Sequence, residues 1–521
     1  MSDLPRIWRA TGLMTVGTGL SRATGLLRVS ALTYALGVTG TRLADTYNLA
    51  NTTPNIIYEL FLGGILTAVF VPVLIETRER RSGDASPLFS VSLIALAAVS
   101  AIAAVAAPLV MRIYTFRVAD PQTRAAQLEL ASFLLRWFAP QIFFYGVSAI
   151  AQALLNVRGR FAPAAFAPVF NNVIVTATLI AYARIASGDG LDIGTTGKVL
   201  LGAGTTLGVV VQAIVLIPFL RREGLRFAPN VRDPAVARVV RLSAYVFAYV
   251  VVNQVGLWVT LILANGVAGG VTAYQVAFIF FQLPHGLFAV SLHTALFPDL
   301  SRAASTGDWD AYRRWFSTGL RGVLYLLVPA AIGYGVLASP ITQIFIARGA
   351  ADAGDAEAVA AVLQAFAVSL VFFSAFQLLT RCFYALPDTR TPTALKAVAV
   401  ATHIVLNFPL FWWLGIRGLA YGHAIAYAVG TSLLVAVLHR RVPGGLHLRT
   451  LIAPVARIGA VAAAMGVCVW GIARVVPGGN LSTLGASVGA GAILYLAFSQ
   501  VAGVEERAIV LGPLRLWHPK P

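Results

Sequence analysis

The stretch GLSRATGLLRVSALTYALG, residues 19–37, places two guanidinium groups inside an apolar segment that is long enough to cross a bilayer. A membrane span needs about 20 mostly apolar residues, and an arginine at its centre costs about 2.5–3.5 kcal/mol on insertion scales. Six residues of α-helix rotate the side-chain direction by about 240°. Arg22 and Arg28 therefore do not share one narrow face, but they can line one wide cavity from adjacent sides. The stretch predicts a first membrane span whose internal charges serve a purpose.

The composition of the whole chain is that of a membrane protein. Of its 521 residues, 58% are hydrophobic and 12% are charged, and the mean hydropathy is +0.78. A soluble chain of this length carries more charge. Fourteen segments qualify as candidate spans: 8–37, 45–75, 88–114, 128–155, 162–183, 199–220, 240–264, 270–300, 315–346, 357–385, 391–415, 418–438, 451–473 and 481–503. We therefore predict an all-α integral membrane protein with about 14 transmembrane helices.

The positive charges of the loops predict the orientation of these spans. Arginine and lysine are about three times as frequent in the loops on the side of the N-terminus as in the loops on the other side, and such charges mark the cytoplasmic face. Both termini are therefore expected inside. The same bias accounts for the net charge of +18 without a nucleic-acid partner.

A weak internal repeat predicts two halves. FVPVLIETRERRSGD closes the second span and LFPDLSRAASTGD closes the eighth, while ALLNVRGRFAPAAFAPV and RCFYALPDTRTPTALKAV join spans four to five and ten to eleven. The even offset gives both halves one orientation, and transporters of this kind bind substrate between their halves. We expect pseudo-symmetric halves at residues 1–225 and 226–441 around a central cavity, followed by spans 13 and 14 and a short cytoplasmic tail at residues 442–521.

The second span is unusually polar in its first half. It reads LADTYNLANTTPNIIYELFLGG, residues 43–64, and contains Pro54, which removes a backbone hydrogen bond. Beside an arginine-bearing helix, this pattern predicts an anion-binding cavity, and the alternative is an Arg–Asp or Arg–Glu pair that locks two helices. The candidate substrate-binding residues are Arg22, Arg28, Asp45, Asn48, Asn55 and Glu59.

Polar groups in later spans supply further candidates. The eighth span, FQLPHGLFAVSLHTALFP, adds Gln282 and His293 as possible substrate contacts, although a membrane histidine is more typical of a packing residue than of a proton relay. Asn407, near Pro409, is a candidate cation ligand. The sequence has no pair of membrane acids spaced for a metal, so no metal site is predicted.

Catalytic motifs are missing from the sequence. There is no HExxH, GxSxG or Walker loop, which argues against an enzyme and against a bound cofactor. A transporter without an ATP site draws on a Na⁺ or H⁺ gradient or on the membrane potential. The potential supplies about 2.3 kcal/mol per charge per 100 mV.

Several long motifs resemble one known family. They are SRATGLLR (21–28), LADTYNLANTTPNIIYELFLGGILTAVFVPVLIE (43–76), LLNVRGRFAPAAFAPVFNN (154–172), QLPHGLFAVSLHTALFPDLSR (282–302) and FYALPDTRTPTALK (383–396). Together they resemble the MurJ/MviN family of bacterial lipid II flippases, in the multidrug/oligosaccharidyl-lipid/polysaccharide exporter superfamily.

The resemblance implies a function and a location. It implies transfer of lipid II, an undecaprenyl-diphosphate muropeptide, from the cytoplasmic to the outer leaflet of the bacterial plasma membrane by alternating access. Arg22, Arg28 and Asp45 match family positions, and the arginines are expected to face the diphosphate. The implied partners are lipid II and membrane lipids, with no nucleic acid, and the oligomeric state is left open.

The sequence also departs from the family pattern. Val29 stands where many members have Asp, Tyr58 and Glu59 stand at an arginine pair, and Phe278 and Ile279 replace an Asp-Arg. These changes predict a less cationic cavity. The alternatives are a flippase for another polyprenyl-linked glycan, a cation-coupled drug exporter of the same superfamily, a membrane enzyme acting on polyprenyl diphosphates, or a non-transporting scaffold.

Overall fold

The computed structural model describes residues 4–59, 86–157, 160–185, 190–221, 226–476 and 479–508, and these ranges contain α-helices and no β-strand. In chain order the helices are α1 (Leu4–Leu36), α2 (Leu43–Tyr58), α3 (Ser86–Val105), α4 (Ala107–Thr115), α5 (Pro121–Phe138), α6 (Pro140–Val157), α7 (Phe161–Ile185), α8 (Gly194–Ile214), α9 (Ile217–Arg221), α10 (Pro234–Ala264), α11 (Gly270–Pro284), α12 (Val290–Thr306), α13 (Trp309–Phe345), α14 (Ala353–Ala385), α15 (Arg390–Leu414), α16 (Ile416–Arg441), α17 (Arg449–Val475) and α18 (Asn480–Val501).

The helices follow the spans predicted from hydropathy. In the described ranges, 11 continuous helical stretches are long and apolar enough to cross a membrane. The three other predicted spans correspond to α1, α2 and α10. Residues 60–75 of the second predicted span lie outside the described residues. The predicted all-α fold with about 14 transmembrane helices is confirmed.

Proline accompanies the breaks in four predicted spans, of which the third divides into α3 and α4 and the sixth into α8 and α9. The fourth divides into α5 and α6 at Ala139, directly before Pro140. The eighth runs through α11 to Pro284, continues as a π-helical turn at His285–Ala289 and resumes as α12. Proline lacks an N–H and collides with the carbonyl four residues earlier, and a π-turn is one way a helix absorbs such a defect.

The chain forms two compact units. The first comprises Met1–Thr272 and Arg348–Asp352, and the second comprises Ala273–Ala347 and Ala353–Pro521. In the first unit α1 packs on α7, α7 on α8, and α2 on α5 and α6. In the second unit α14 packs between α13 and α16, while α15 packs on α16 and α17 on α18. The sequence-based division into 1–225, 226–441 and 442–521 stays a prediction.

Glycine sets the close approach of α7 and α8. A Cβ at Gly204 would lie 2.4 Å from the Thr178 side chain, and one at Gly208 would lie 2.6 Å from the Asn171 amide oxygen. Two glycines four residues apart lie on one helix face. Small residues so placed let membrane helices approach closely, because lipid offers no hydrophobic drive for their association. This approach positions Asn171 for the site described next.

Candidate functional site

One face of α2 carries a line of polar side chains. Tyr47, Asn51, Asn55 and Tyr58 recur at helical spacing, so they lie above one another on the same side. Tyr47 is fully buried and Asn51 is 8% exposed, while Asn55 and Tyr58 are half-buried. Buried polar groups need hydrogen-bonding partners, so this face must meet other polar groups within the first unit.

The matching polar face belongs to α6. Gln141, Tyr145 and Ser148 follow the same helical spacing. The hydroxyl of Tyr145 faces Asn55 on α2 and Asn171 on α7, and its ring centroid lies 5.8 Å from that of Tyr58. The two polar faces therefore meet at Tyr145.

Arg28 enters this polar region from α1. Its side chain is half-buried and lies within electrostatic range of the Tyr47 and Tyr145 hydroxyls. The Tyr47 hydroxyl also lies 2.8 Å from Thr205 Oγ1 on α8. We call Arg28, Tyr47, Asn55, Tyr145 and Asn171 the Arg28 cluster.

The charge of Arg28 is not neutralised within the described part of the chain. Neither Arg28 nor Arg22 has a carboxylate within ion-pair distance among the residues that the structure describes. A lock between helices would require such a pair. The cluster instead surrounds a permanent cation with neutral hydroxyl and amide groups.

Arg22 lies nearer the N-terminus of α1 and is half-buried. The backbone around it is held by Asn172 on α7, whose Nδ2 donates to the Ser21 carbonyl at 3.1 Å and to Thr24 Oγ1 at 3.2 Å. A Cβ at Gly17 would lie 2.8 Å from Ala165, so α1 and α7 also approach closely there. These contacts fix the part of α1 that carries Arg22.

Several buried polar atoms of the same two faces lack a hydrogen-bond partner among the described residues. They are Asn51 Oδ1 on α2 and Gln141 Oε1 and Ser148 Oγ on α6. Leaving a buried polar atom unpaired costs about 1–3 kcal/mol. Such atoms, on the two faces that meet at Tyr145, are consistent with a polar ligand or water in this region.

Asp45 and Asn48 lie at the opposite end of α2 from Asn55, and they contact α11. Asp45 is fully buried, and its Oδ1 accepts from the Thr272 N–H at 2.8 Å and from the Thr272 hydroxyl at 2.7 Å. Asn48 Nδ2 donates to Thr272 Oγ1 at 3.1 Å. The positive charge that acts on Asp45 is Arg42. We call this contact the Asp45–Thr272 latch, and it satisfies first-turn groups of α11 that have no intrahelical partner.

The other candidate residues lie outside the Arg28 cluster. Glu59 is exposed at the end of α2. In the second unit, Gln282 is exposed on α11, and His293 is buried on α12 with its ring 6.2 Å from that of His285. Asn407 is fully buried on α15, where its oxygen lies 2.8 Å from the position of a Cβ at Gly422.

Asn407, the candidate cation ligand, is fully buried in the second unit. Within the described residues there is no group of three or more His, Cys, Asp or Glu side chains arranged to hold a metal ion. Asn407 packs instead where α15 and α16 come close at Gly422. Its role as a cation ligand stays a prediction.

Sequence reasoning missed three members of the Arg28 cluster: Tyr47, Tyr145 and Asn171. Tyr47 carried a usable signal, because it is four residues before Asn51 and eight before Asn55 on a helix already judged polar. Tyr145 and Asn171 stand in predominantly apolar segments. Only the packing of α6 and α7 against α2 reveals that they meet Asn55.

Comparisons with known proteins point to one family. The family model described as lipid II flippase MurJ matches residues 32–487. A Vibrio cholerae protein named probable lipid II flippase MurJ is 29% identical over 96% of this chain and 97% of its own length. A Haemophilus influenzae protein of the same name is 30% identical over 81% of this chain and 84% of its own length.

Two solved structures show what the fold resembles. A structure of lipid II flippase MurJ in an inward closed conformation matches with a TM-score of 0.78 at 21% identity, covering 96% of this chain and 99% of that one. An inward-facing multidrug resistance MATE family transporter matches with a TM-score of 0.67 at 14% identity, covering 81% and 95%. At these identities the likeness establishes the fold alone.

Proposed function

The chain belongs to the MurJ family, whose model spans residues 32–487, and we propose on this basis that it is a lipid II flippase. It is a multi-pass protein of the bacterial cytoplasmic membrane and a transporter rather than an enzyme. It moves lipid II from the cytoplasmic to the outer leaflet by alternating access. The match over most of the chain is the observation that carries this function.

The Arg28 cluster supports a role in binding the diphosphate of lipid II. A guanidinium presents several donors in a fixed fork and bonds phosphate oxygens in pairs. Tyrosine hydroxyls and asparagine amides around it add neutral donors. These groups would replace the water that surrounds the diphosphate while it crosses the membrane. The binding energy would offset the cost of holding Arg28 within a span.

Arg22 would extend this site along α1. The two arginines are about 9 Å apart along the helix axis, and an undecaprenyl-diphosphate carries two phosphate groups. Asn172 holds the backbone on either side of Arg22, which would keep its guanidinium near one approach to the cluster. In this proposal Arg28 and Arg22 contact the substrate, together with Asn55.

The Asp45–Thr272 latch would act on conformation. Alternating access requires helices to separate and re-pair, and the latch ties the first turn of α2 to the first turn of α11. Asp45 and Asn48 would therefore position α2. Glu59 is exposed at the C-terminal end of the same helix. Gln282 and His293 remain proposed contacts in the second unit.

The energy source would be an ion gradient or the membrane potential. Lipid II carries negative charge on its diphosphate, and a potential that is negative inside favours outward movement of an anion. The available energy is about 2.3 kcal/mol per charge per 100 mV. No bound cofactor is part of this proposal.

A second candidate is a flippase for another polyprenyl-diphosphate glycan. The Arg28 cluster would read the diphosphate and not the sugars, so the cluster suits both substrates. The departures at Val29, Tyr58 and Glu59 favour keeping this alternative. An exporter of cationic drugs fits less well, because the described part of the cluster contains no acidic side chain.

The test is complementation in bacterial cells that have been depleted of their own flippase. Lipid II exposed on the outer leaflet is measured in cells expressing the wild type, Arg28→Ala or Arg136→Ala, with membrane abundance checked for each. Arg136 is exposed in the last turn of α5 and serves as the matched control. We expect exposure with the wild type and the control, and its loss with Arg28→Ala.

If the depleted cells that express the wild-type chain exposed no lipid II on the outer leaflet, despite normal membrane abundance of the chain, lipid II would be contradicted as the substrate. Other polyprenyl-linked glycans would then be measured in the same cells. Exposure that is equal in wild type and Arg28→Ala would support the substrate but contradict the role of the Arg28 cluster.

A further inference from the structure

Three loops and the first turns of α5 enclose an open cavity in the first unit. The loops connect α1 to α2, α7 to α8, and α10 to α11. Each loop, like the start of α5, follows an odd number of spans, so with the N-terminus inside all four lie on the outer side of the membrane. The cavity has a volume of about 490 Å³, within the usual range for a ligand site. We call it the outer pocket, and the proposed diphosphate site makes no use of it.

The lining of the outer pocket is polar and carries charges of both signs. The charged groups are the Arg42 guanidinium and the Asp192 carboxylate. Thr41, Gln122 and Thr123 add hydroxyl and amide groups. The other lining residues are glycine, alanine and one leucine, and none of the lining residues is aromatic. The pocket therefore suits a polar, charged ligand and offers little surface to a lipid chain.

Arg42 is held at the outer pocket without being neutralised. Its Nη1 donates to the Asn265 carbonyl at 2.7 Å, and its Nη2 donates to the Gly266 carbonyl at 3.5 Å. A guanidinium has five N–H donors, so further donors remain for a ligand. Among the described residues no carboxylate lies within ion-pair distance of Arg42, and Asp45 acts on it only at longer range. The two carbonyls thus orient a cation that still lacks an anionic partner.

Asp192 supplies the opposite charge. Its side chain is exposed, and its Oδ1 accepts from the Gly194 N–H at 3.4 Å. In the part of the chain that the structure describes, no basic side chain lies within ion-pair distance of it. The pocket therefore holds a cation and a carboxylate that do not pair with each other. A ligand with groups of both signs can bind both, whereas a phosphate would be repelled by Asp192.

Glycines keep the outer pocket open. A Cβ at Gly40 or at Gly190 would meet no heavy atom within 4 Å, and Gly190 has a φ of +64°, a conformation that favours glycine. The N-terminus of α5 borders the pocket but is already capped by Asp120, which accepts from the Thr123 N–H at 2.7 Å. The side chains of the lining, rather than the helix end, therefore define what the pocket can bind.

We propose that the outer pocket binds the peptide part of the muropeptide head group on the outer side of the membrane. Arg42 binds a free carboxylate of the peptide through two parallel hydrogen bonds. Asp192 accepts from an ammonium or amide N–H of the same peptide, and Gln122 pairs with a backbone amide. A site on this side favours the head group after it has crossed. That role in transport rests on the proposed flippase function, whereas binding of the peptide does not.

Binding is tested with a soluble muropeptide that carries neither lipid nor diphosphate. Equilibrium dialysis against the purified full-length protein should show saturable binding at about 1 mM muropeptide, and a muropeptide whose carboxylates are amidated should not bind. Arg42→Gln and Asp192→Asn should each weaken binding by about tenfold to a hundredfold, as expected for losing a charge-assisted hydrogen bond. Arg124→Gln is the matched control, because it removes an exposed charge of α5 that does not line the pocket.

Two further variants locate the binding site. Gly40→Trp fills the pocket without a change of charge, at a position with room for a side chain, so it should abolish binding while the thermal transition is kept. Arg28→Ala should bind the muropeptide as the wild type does, because the probe has no diphosphate. The proposal would be overturned by a wild type that does not bind, by binding that survives both Arg42→Gln and Gly40→Trp, or by loss of binding in Arg28→Ala.

The role in transport is measured in vesicles that contain lipid II and the reconstituted chain. Asp192→Asn leaves the carbonyl contacts of Arg42 in place and should slow lipid II transfer by about twofold to tenfold, the effect of losing one hydrogen bond. Equal transfer by Asp192→Asn and Arg124→Gln would contradict this role. A wild type that binds the muropeptide but does not move lipid II would contradict the proposed flippase function, and the binding would still stand.

Discussion

The Arg28 cluster of the first unit and the Lys396 contact of the second unit each hold a half-buried cation between helices, and they differ in what surrounds the cation. Arg28 faces the hydroxyls of Tyr47 and Tyr145. Lys396 on α15 donates to the Tyr427 hydroxyl and lies 4.4 Å from the centroid of that ring and 5.5 Å from that of Phe376. Arginine offers a planar fork of donors that suits a phosphate ligand. An ammonium over aromatic faces is already held by the protein itself.

The contrast teaches how one apolar chain can separate two tasks. The first unit places its fixed charge where hydroxyl and amide donors converge from α2, α6 and α7. The second unit places Lys396 at a helix contact lined by aromatic rings. Substitutions at four positions, Arg28, Lys396, Tyr145 and Asp45, test this difference.

The largest effect is expected at Arg28. Arg28→Ala removes charge-assisted hydrogen bonds worth about 1.5–3 kcal/mol each, so lipid II transfer should fall by about tenfold to a hundredfold. Arg28→Lys keeps the positive charge without the fork of donors, so its rate of lipid II transfer should lie between those of the wild type and Arg28→Ala. The loss should be the same at pH 6 and pH 8, measured in vesicles, because arginine does not titrate there. A loss confined to one pH would break the distinction between the sites.

The next effect is expected at Lys396 and concerns stability. Lys396→Met removes the hydrogen bond to the Tyr427 hydroxyl and the contacts of the ammonium with the Phe376 and Tyr427 rings. The free energy of unfolding should fall by about 0.5–2 kcal/mol, seen as a lower thermal transition. The control is Lys198→Met, since Lys198 lies in the first unit beside Glu129. An unaltered thermal transition in Lys396→Met would show that the ammonium does not stabilise the contact between α15 and α16.

A smaller effect is expected at Tyr145. Tyr145→Phe keeps the ring contact with Tyr58 and removes the hydroxyl that faces Asn55 and Asn171. A neutral hydrogen bond contributes about 0.5–1.5 kcal/mol, so transfer should fall by about twofold to tenfold. Tyr182→Phe on α7 is the matched control, measured by the same vesicle assay. A Tyr145→Phe loss as large as that of Arg28→Ala would place the hydroxyl, rather than the guanidinium, at the centre of the site.

The smallest effect on transfer is expected at Asp45. Asp45→Asn keeps an oxygen for the Thr272 N–H but removes the charge from the latch. The free energy of unfolding should fall by about 1–2 kcal/mol, seen as a lower thermal transition, and transfer by less than that of Tyr145→Phe. If Asp45→Asn instead matched Arg28→Ala, Asp45 would have to act on the Arg28 charge, and the description of that charge as unneutralised would be wrong.

Arg28 and Asn55 of the Arg28 cluster could be predicted from the sequence, and their neighbours Tyr145 and Asn171 could not. Arg28 stood out because a guanidinium within an apolar segment is costly, and Asn55 because it lies beside Pro54 in a polar half-span. Asp45 was grouped with them on proximity along the chain, but it contacts Thr272, which is more than 200 residues away. Helical periodicity shows which residues share a face, and it carries no information on which helix that face meets.

The contact between α15 and α16 illustrates the same limit in the second unit. His403 and His423 stand on different helices, and neither drew attention beside the more polar eighth span. Their rings come within 5.6 Å only because α15 and α16 pack antiparallel. Lys396 was counted as a loop charge of the inner face, although its side chain reaches Tyr427 inside the helix contact.

The sequence alone predicts that this protein lies in a membrane and how many times it crosses that membrane. Each apolar segment partitions into lipid through its own composition, and each loop charge biases orientation locally, so these properties need no partner. The pairing of polar side chains, in contrast, is set by the tertiary structure. That pairing depends on how helices distant in the chain cross and how closely glycines let them approach, as Gly208 does at Asn171.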